Sequence, residues 1–301
     1  MLNSSIITNE ENRLKVKRYL NSILAIPSKK LLFHLTSITS VLSLTACGSP
    51  ETDEENELGE IFWATRGNQT FEGGSDEDTI TYVDITGGIQ ADLTKPTEQI
   101  TFGNYTHTLI AIENLIGTDF DDIITVDSDQ GVLTGGLGCD RFKIESGRHT
   151  ITDLETCDVF IIDSPAHLKA YVANEFIATV ESINRGVAEL FSGDNGSHVD
   201  LSQVVEGEFT LVGGSGKDFL SGAIFDDILT GGENSDTFNI VSGTDVVTDL
   251  STGDILLVSI GATVNATNIS NFIATNSTSN SGVANLTAGN SGSTISVTNS
   301  N

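Results

Sequence analysis

Basic residues are scarce in this 301-residue chain: 14 Lys and Arg stand against 42 Asp and Glu, a formal net charge of −28. Six of the bases precede Cys47, alongside two acids, Glu10 and Glu11. From Cys47 onward the balance is 8 bases to 40 acids, or −32. Such a surface repels phosphate backbones and anionic head groups, which argues against nucleic acid as a partner, and it suits cations. Aromatics make up only 6% of the chain, so a core must be built from Val, Ile, Leu and single Phe residues. Cys occurs three times and the five His (His34, His107, His149, His167, His198) are scattered, so soft-metal clusters are missing. Pro is down to 4, yet hydrophobic residues reach 38%, too apolar for a wholly disordered chain. Catalytic signatures are missing as well: there is no Gly-x-Ser-x-Gly elbow and no His-Glu-x-x-His pattern. The stretch LVGGSGKDF (211–219) imitates a phosphate loop, but Asp218 stands where Ser or Thr would hold Mg²⁺. No enzymatic activity is expected.

Lys29-Lys30 leads into an apolar stretch, Leu31 to Ala46, interrupted by His34 and several Ser and Thr. It is too short and too polar to span a bilayer, and it reads as the hydrophobic part of a signal peptide. It ends in Leu-Thr-Ala-Cys-Gly (44–48), which resembles a bacterial lipobox. That resemblance implies lipidation at Cys47 and anchoring of the mature chain to a membrane by acyl chains alone. The stretch before Lys29 is long for such a segment, and Met1 is the only Met. An ordinary cleaved signal peptide, with Cys47 incidental, is the alternative. Residues 49–60 (SPETDEENELGE) read as a flexible acidic tether.

From Gly117 the chain falls into nines. The first run is GTDFDDIIT, VDSDQGVLT, GGLGCDRFK, IESGRHTIT and DLETCDVFI, ending at Ile161. Its eighth place is always apolar: Ile124, Leu133, Phe142, Ile151, Phe160. Its sixth holds Asp122, Gly131, Asp140, His149 and Asp158. A second run starts at Gly213: GGSGKDFLS, GAIFDDILT, GGENSDTFN, IVSGTDVVT and DLSTGDILL. Here the sixth place is Asp throughout: Asp218, Asp227, Asp236, Asp245 and Asp254. A weaker pair, ATRGNQTFE (64–72) and GGSDEDTIT (73–81), puts Gln69 and Asp78 in the sixth place.

These nonads resemble the Gly-Gly-x-Gly-x-Asp-x-apolar-x repeat of the RTX (haemolysin-type) calcium-binding proteins. GGLGCDRFK and GGSGKDFLS match it fully, and IENLIGTDFDD (112–122) and HTITDLETCD (149–158) look like the family's lead-in and run-out. The resemblance covers roughly residues 64–258. It implies an all-β fold in which each nonad makes one turn and one short strand and two nonads complete a coil of a parallel β-roll. It implies that the sixth-place Asp residues face Ca²⁺ ions shared between coils. Carboxylate and carbonyl oxygens in a flexible arrangement suit Ca²⁺ better than Mg²⁺. Stacking at eighteen residues sorts the acids into rows: Asp122, Asp140 and Asp158; Asp218, Asp236 and Asp254; Asp227 and Asp245. Gly131 and His149 leave a gap in the other row of the first run. About two ions are expected in the first run and three in the second, with Asp153 and Asp249 as added ligands. The alternative is a decayed roll that holds its shape without metal.

Cys139 and Cys157 share the fifth place, eighteen residues apart. Neighbouring strands lie about 4.8 Å apart, within reach of a disulfide. One reading is a clasp replacing support lost on the Gly131/His149 edge; the other is two free thiols. The two runs are offset by 96 residues, and the match extends past them: NEFIAT (174–179) answers SNFIAT (270–275), and Gly186-Val187-Ala188 answers Gly282-Val283-Ala284. Each copy is expected to carry a short helix near Phe176 or Phe272, then a hairpin, AELFSGDNGSHVDLS or ANLTAGNSGSTISVT, capping its roll. The organisation expected is an export segment (1–46), an acidic tether (47–62), an N-terminal β region (63–116), roll one (117–162), a connector (163–212), roll two (213–258) and a C-terminal cap (259–301). The function implied is an extracellular or outer-membrane-anchored calcium-binding protein with a structural or adhesive role. The alternative is an accessory domain serving a secreted enzyme or a type I exporter.

Overall fold

The computed structural model describes residues 59–127, 130–289 and 292–297. The export segment and Cys47 lie outside the described residues. Among the described residues twenty-eight strands, numbered β1–β28 in chain order, wind into one continuous parallel β-solenoid of about twelve turns. Its spine is a twelve-stranded sheet: β1 (Ile61–Trp63), β3 (Thr79–Thr81), β7 (Asn114–Ile116), β9 (Gln130–Thr134), β11 (Arg148–Leu154), β13 (His167–Val172), β16 (Val187–Phe191), β18 (Phe209–Val212), β20 (Ile228–Thr230), β22 (Thr244–Val247), β24 (Thr263–Ile269) and β27 (Val283–Ala288).

The opposite wall is built in two stretches. The first joins β2 (Gln69–Glu72), β6 (Tyr105–Ile110), β5 (Ile100–Phe102), β4 (Gln90–Asp92), β8 (Ile123–Val126), β10 (Arg141–Ile144), β12 (Val159–Ile162) and β15 (Ile183–Asn184). The second joins β14 (Glu175–Ile177), β17 (His198–Asp200), β19 (Phe219–Ser221), β21 (Thr237–Ile240), β23 (Ile255–Val258) and β26 (Ser279–Asn280). A last pair, β25 (Phe272–Ile273) and β28 (Ile295–Ser296), starts a further stretch. All pairings are parallel among the described residues except β4–β5 and β5–β6, where residues 82–113 fold into an antiparallel ribbon.

The period of nine explains the core. On a three-residue strand the middle side chain points one way and its neighbours the other. The eighth place is that middle, so it fills the interior of every coil. Along the spine Ile80, Leu115, Leu133, Ile151, Ala170, Leu190, Leu211, Leu229, Val247 and Ala266 stack in register and are buried. Phe142 stacks on Phe160 on the opposite wall, and Phe238 on Leu220 and Leu256. No coil can bury its apolar face alone; its neighbours above and below do so.

Two expectations are corrected. Among the described residues there is no helix: Phe176 and Phe272 lie in strands β14 and β25. Nor do the described residues of 188–202 and 284–298 pair as hairpins; in the second copy β27 pairs with β24 and β28 with β25. β16 pairs with β13 and β18 in the spine, while β17 pairs with β14 and β19 on the opposite wall. The segment between the rolls is therefore further solenoid. SGDNGSHVD (192–200) is itself a nonad, with Ser197 in the sixth place and Val199 in the eighth. It was concealed because Leu201-Ser202-Gln203 shift the phase by three before the second run resumes.

Candidate metal-binding rows

The turn before each strand carries the sixth-place residue, so parallel stacking lines those residues up. Asp122, Asp140 and Asp158 precede β8, β10 and β12. Asp218, Asp236 and Asp254 precede β19, β21 and β23. Asp227 and Asp245 form a shorter row at β20 and β22 of the spine. All eight are buried, none more than 3% exposed.

Their carboxylates follow one hydrogen-bonding rule. One oxygen accepts the backbone N–H of the sixth-place residue a coil earlier. The N–H of Asp122 donates to Asp140 (2.8 Å) and that of Asp140 to Asp158 (2.9 Å). The N–H of Asp218 donates to Asp236 (2.9 Å), Asp236 to Asp254 (3.0 Å) and Asp227 to Asp245 (2.9 Å). Ile89, Ser197 and Phe209 donate to the first Asp of each row. The second oxygen closes its own turn: Asp122 accepts from Thr118, Asp158 from Glu155, Asp218 from Gly214, Asp227 from Ala223 and Asp254 from Ser251. At Asp245 the second oxygen is buried with no hydrogen-bond partner.

This geometry explains the first-place glycine. A Cβ on Gly117 would collide with Asp122 Oδ2 and with the carbonyl oxygen of Gly135 in the next coil. On Gly213 it would collide with the Gly231 carbonyl and Asp218 Oδ2; on Gly222, with Asp227 Oδ2. Carboxylate oxygens thus converge at the glycine, at Gly117 and Gly213 together with a carbonyl oxygen from the adjacent coil.

The charge is uncompensated. Among the described residues no Lys, Arg or His makes an ion pair with any of the eight; the ion pairs found, such as Arg185 with Asp163 and Glu206, are at the surface. Burial pushes Asp140 up to about 8, and the charges of Asp158, Asp122 and Asp153 push the same way. Burial likewise takes Asp158, Asp227 and Asp245 to about 7 and Asp236 to about 6. Asp122 and Asp254 are raised for the same first reason. Each is held back by the backbone N–H groups it accepts.

Other residues take places the repeat did not foretell. Asp153 and Asp249 clamp a turn one coil earlier: Asp153 accepts the N–H groups of Gly135 (3.0 Å) and Gly136 (2.9 Å), Asp249 those of Gly231 and Gly232. The structure puts both on backbone amides. Asp78 accepts from Glu60 and Gly74, extending the same turn to the weak upstream nonad. Its own N–H donates to Glu113, which stands a coil below Gly131 in the spine. Buried His107 bridges the Tyr82 hydroxyl (3.0 Å) and the Gly67 carbonyl (2.9 Å), tying the antiparallel ribbon to the first coils. His107 and Tyr82 have no signature in a nine-residue period.

Cys139 and Cys157 sit on successive coils with Cα atoms 5.1 Å apart and their sulfur atoms at bonding distance. They flank the intact Asp140–Asp158 row, on the wall opposite Gly131 and His149, so the idea that they support the gapped edge is corrected. Cys157 holds φ +88°, a region L-residues rarely occupy; its counterpart in the second roll is Gly253, at +96°.

No family model, no curated protein and no solved structure matches the chain.

Proposed function

We propose that this chain is an extracellular, surface-anchored calcium-binding protein of the RTX-like kind, with a structural or adhesive role. The observation that carries the reading is the set of eight buried, stacked Asp carboxylates without a basic partner. Burying ionised carboxylates without a counter-charge costs several kcal/mol each, and a divalent cation between coils offsets that cost. The donor set is all oxygen, which suits Ca²⁺. The unpartnered Asp245 oxygen and the oxygens converging at the first-place glycines are in keeping with such a cation. Among the described residues no three acidic, His or Cys side chains converge on one point, so most ligands would be backbone carbonyls.

In this reading Asp122, Asp140, Asp158, Asp218, Asp227, Asp236, Asp245 and Asp254 hold the ions. Ca²⁺ neutralises the rows and lets the coils close, so that folding waits for the calcium-rich exterior. Cys47 carries the lipid anchor, and Cys139–Cys157 is oxidised outside the cell. Circular dichroism of the full chain, titrated with calcium and then EDTA, tests the reading. A disorder-to-β transition reversed by EDTA is expected. A β signal indifferent to both refutes calcium-coupled folding. Calorimetric titration is expected to show about two ions in the first roll and three in the second.

A further inference from the structure

We propose that the C-terminal end of the solenoid is a self-association surface, at which strand β27 pairs antiparallel with β27 of a second copy. The 96-residue duplication supplies the comparison. In the first copy, β16 carries Ala188 and Leu190, and β17 carries Val199, followed by Leu201. All four are buried, because β18 and β19 cover them. In the second copy Ala284, Leu286, Ile295 and Val297 keep the apolar character, but none is fully buried, and Val297 is 61% exposed where Leu201 is 0%. Among the described residues β27 has one strand neighbour, β24, and β28 has one, β25.

An edge strand normally defends itself with charge, Pro or a bulge. Here the defence is missing. Residues 259–301 contain no Asp, Glu, Lys, Arg, His or Pro, in a chain that otherwise carries 56 charged residues. The inner strand β16, flanked on both sides, keeps Glu189; the edge strand has Asn285 at that place. Asn285 already bonds Asn265 on β24 (2.9 Å), the start of an amide ladder that another strand can extend.

The loss of charge identifies the occupant. In a two-fold strand pair each residue near the axis faces its own copy, so any charge there meets a like charge and destabilises the pair. A partner of different sequence imposes no such restriction. Two molecules of net charge −28 also approach with least repulsion when their uncharged ends meet. The inference uses none of the proposed calcium ligands and needs only the folded solenoid.

The test is sedimentation of the full chain across micromolar concentrations, in a buffer where circular dichroism shows the chain folded, beside Asn285→Glu. The first copy shows that this place accepts Glu, so the variant keeps its fold, checked by circular dichroism. A monomer–dimer equilibrium is expected for the parent, with dissociation raised at least about tenfold in the variant. A monomer throughout, an open series of oligomers, or a dimer indifferent to Asn285→Glu would each overturn the proposal.

Discussion

Asp245→Asn separates the two jobs that a row carboxylate does. Asp245 is fully buried; one oxygen accepts the Asp227 N–H at 2.9 Å and the other accepts nothing. Asparagine keeps the acceptor, so the rung between coils survives, and removes the charge. Without a divalent cation, ionising a group pushed from 3.8 to about 7 costs about 4 kcal/mol at pH 8. The amide replaces that with one unpartnered buried NH₂, at about 1–3 kcal/mol. In EDTA the variant is therefore expected to be more stable than the parent by about 1–3 kcal/mol. In excess calcium the sign reverses, because the parent gains a ligand that Asn supplies poorly. Paired denaturant titrations measure both, in calcium and in EDTA with enough stabilising osmolyte to hold the cation-free chain folded. A variant less stable in both solutions would refute the argument, since Asp245 would then act only as a hydrogen-bond acceptor.

The cation-free chain should also respond to pH in one direction. Folded Asp140, Asp158, Asp227, Asp236 and Asp245 lie above their unfolded value of 3.8, so the stability they contribute is fully present below about pH 4 and is lost as pH rises through about 6 to 8. Thermal unfolding in EDTA, with the same osmolyte to hold the fold, should give a lower midpoint at pH 8 than at pH 5; a rise would contradict the burial argument. Replacing the cysteines as the second roll does, Cys139→Ser with Cys157→Gly, opens an eighteen-residue loop at about 3 kcal/mol. It also relieves about 1 kcal/mol of backbone strain at Cys157, so a net loss of about 2 kcal/mol is expected from urea unfolding without reductant. Equal stability would mean the sulfurs are not joined in solution. Gly213→Ala collides with the Gly231 carbonyl and Asp218, so it should cost more than about 2 kcal/mol. Gly261→Ala meets nothing and costs only its left-handed backbone, about 1 kcal/mol; comparable losses for the two would refute the packing account of the first-place glycine.

What was legible in the sequence is what repeats. The apolar eighth place could be read because a three-residue strand has one inward side chain, and the rows of Asp followed from the eighteen-residue coil. What was missed lies where the phase breaks. Ser197 replaces Asp, and Leu201–Gln203 add three residues, so the nonad around Val199 sits 21 residues from its mate at Leu220, its partner in register. Its Gly193 and Val199 were signals in the right places, the second and the eighth, but a Gly-rich turn between alternating residues reads equally well as a hairpin. The helix expected at Phe176 failed for a related reason: a short run, Phe176-Ile177-Ala178, is too brief to carry a period that shows whether its neighbours in the core lie along a helix or across a sheet.

The hydrogen bonds of the Asp rows bear on how shape and charge divide the work. Every row member accepts at least one backbone N–H, so the carboxylates help to position the turns as well as carrying charge. Neutral acceptors in the same places would meet that need without the burial cost, and Ser197 shows that the coil tolerates one, since the turn there closes through its hydroxyl onto Gly193. Eight Asp in three unbroken rows therefore demand a reason beyond geometry. The gapped spine positions Gly131 and His149 show the complement: the turn persists without the carboxylate, and β9 and β11 still pair in register. The fold needs an occupant at the sixth place, and the calcium binding proposed above would be the reason for that occupant to be charged.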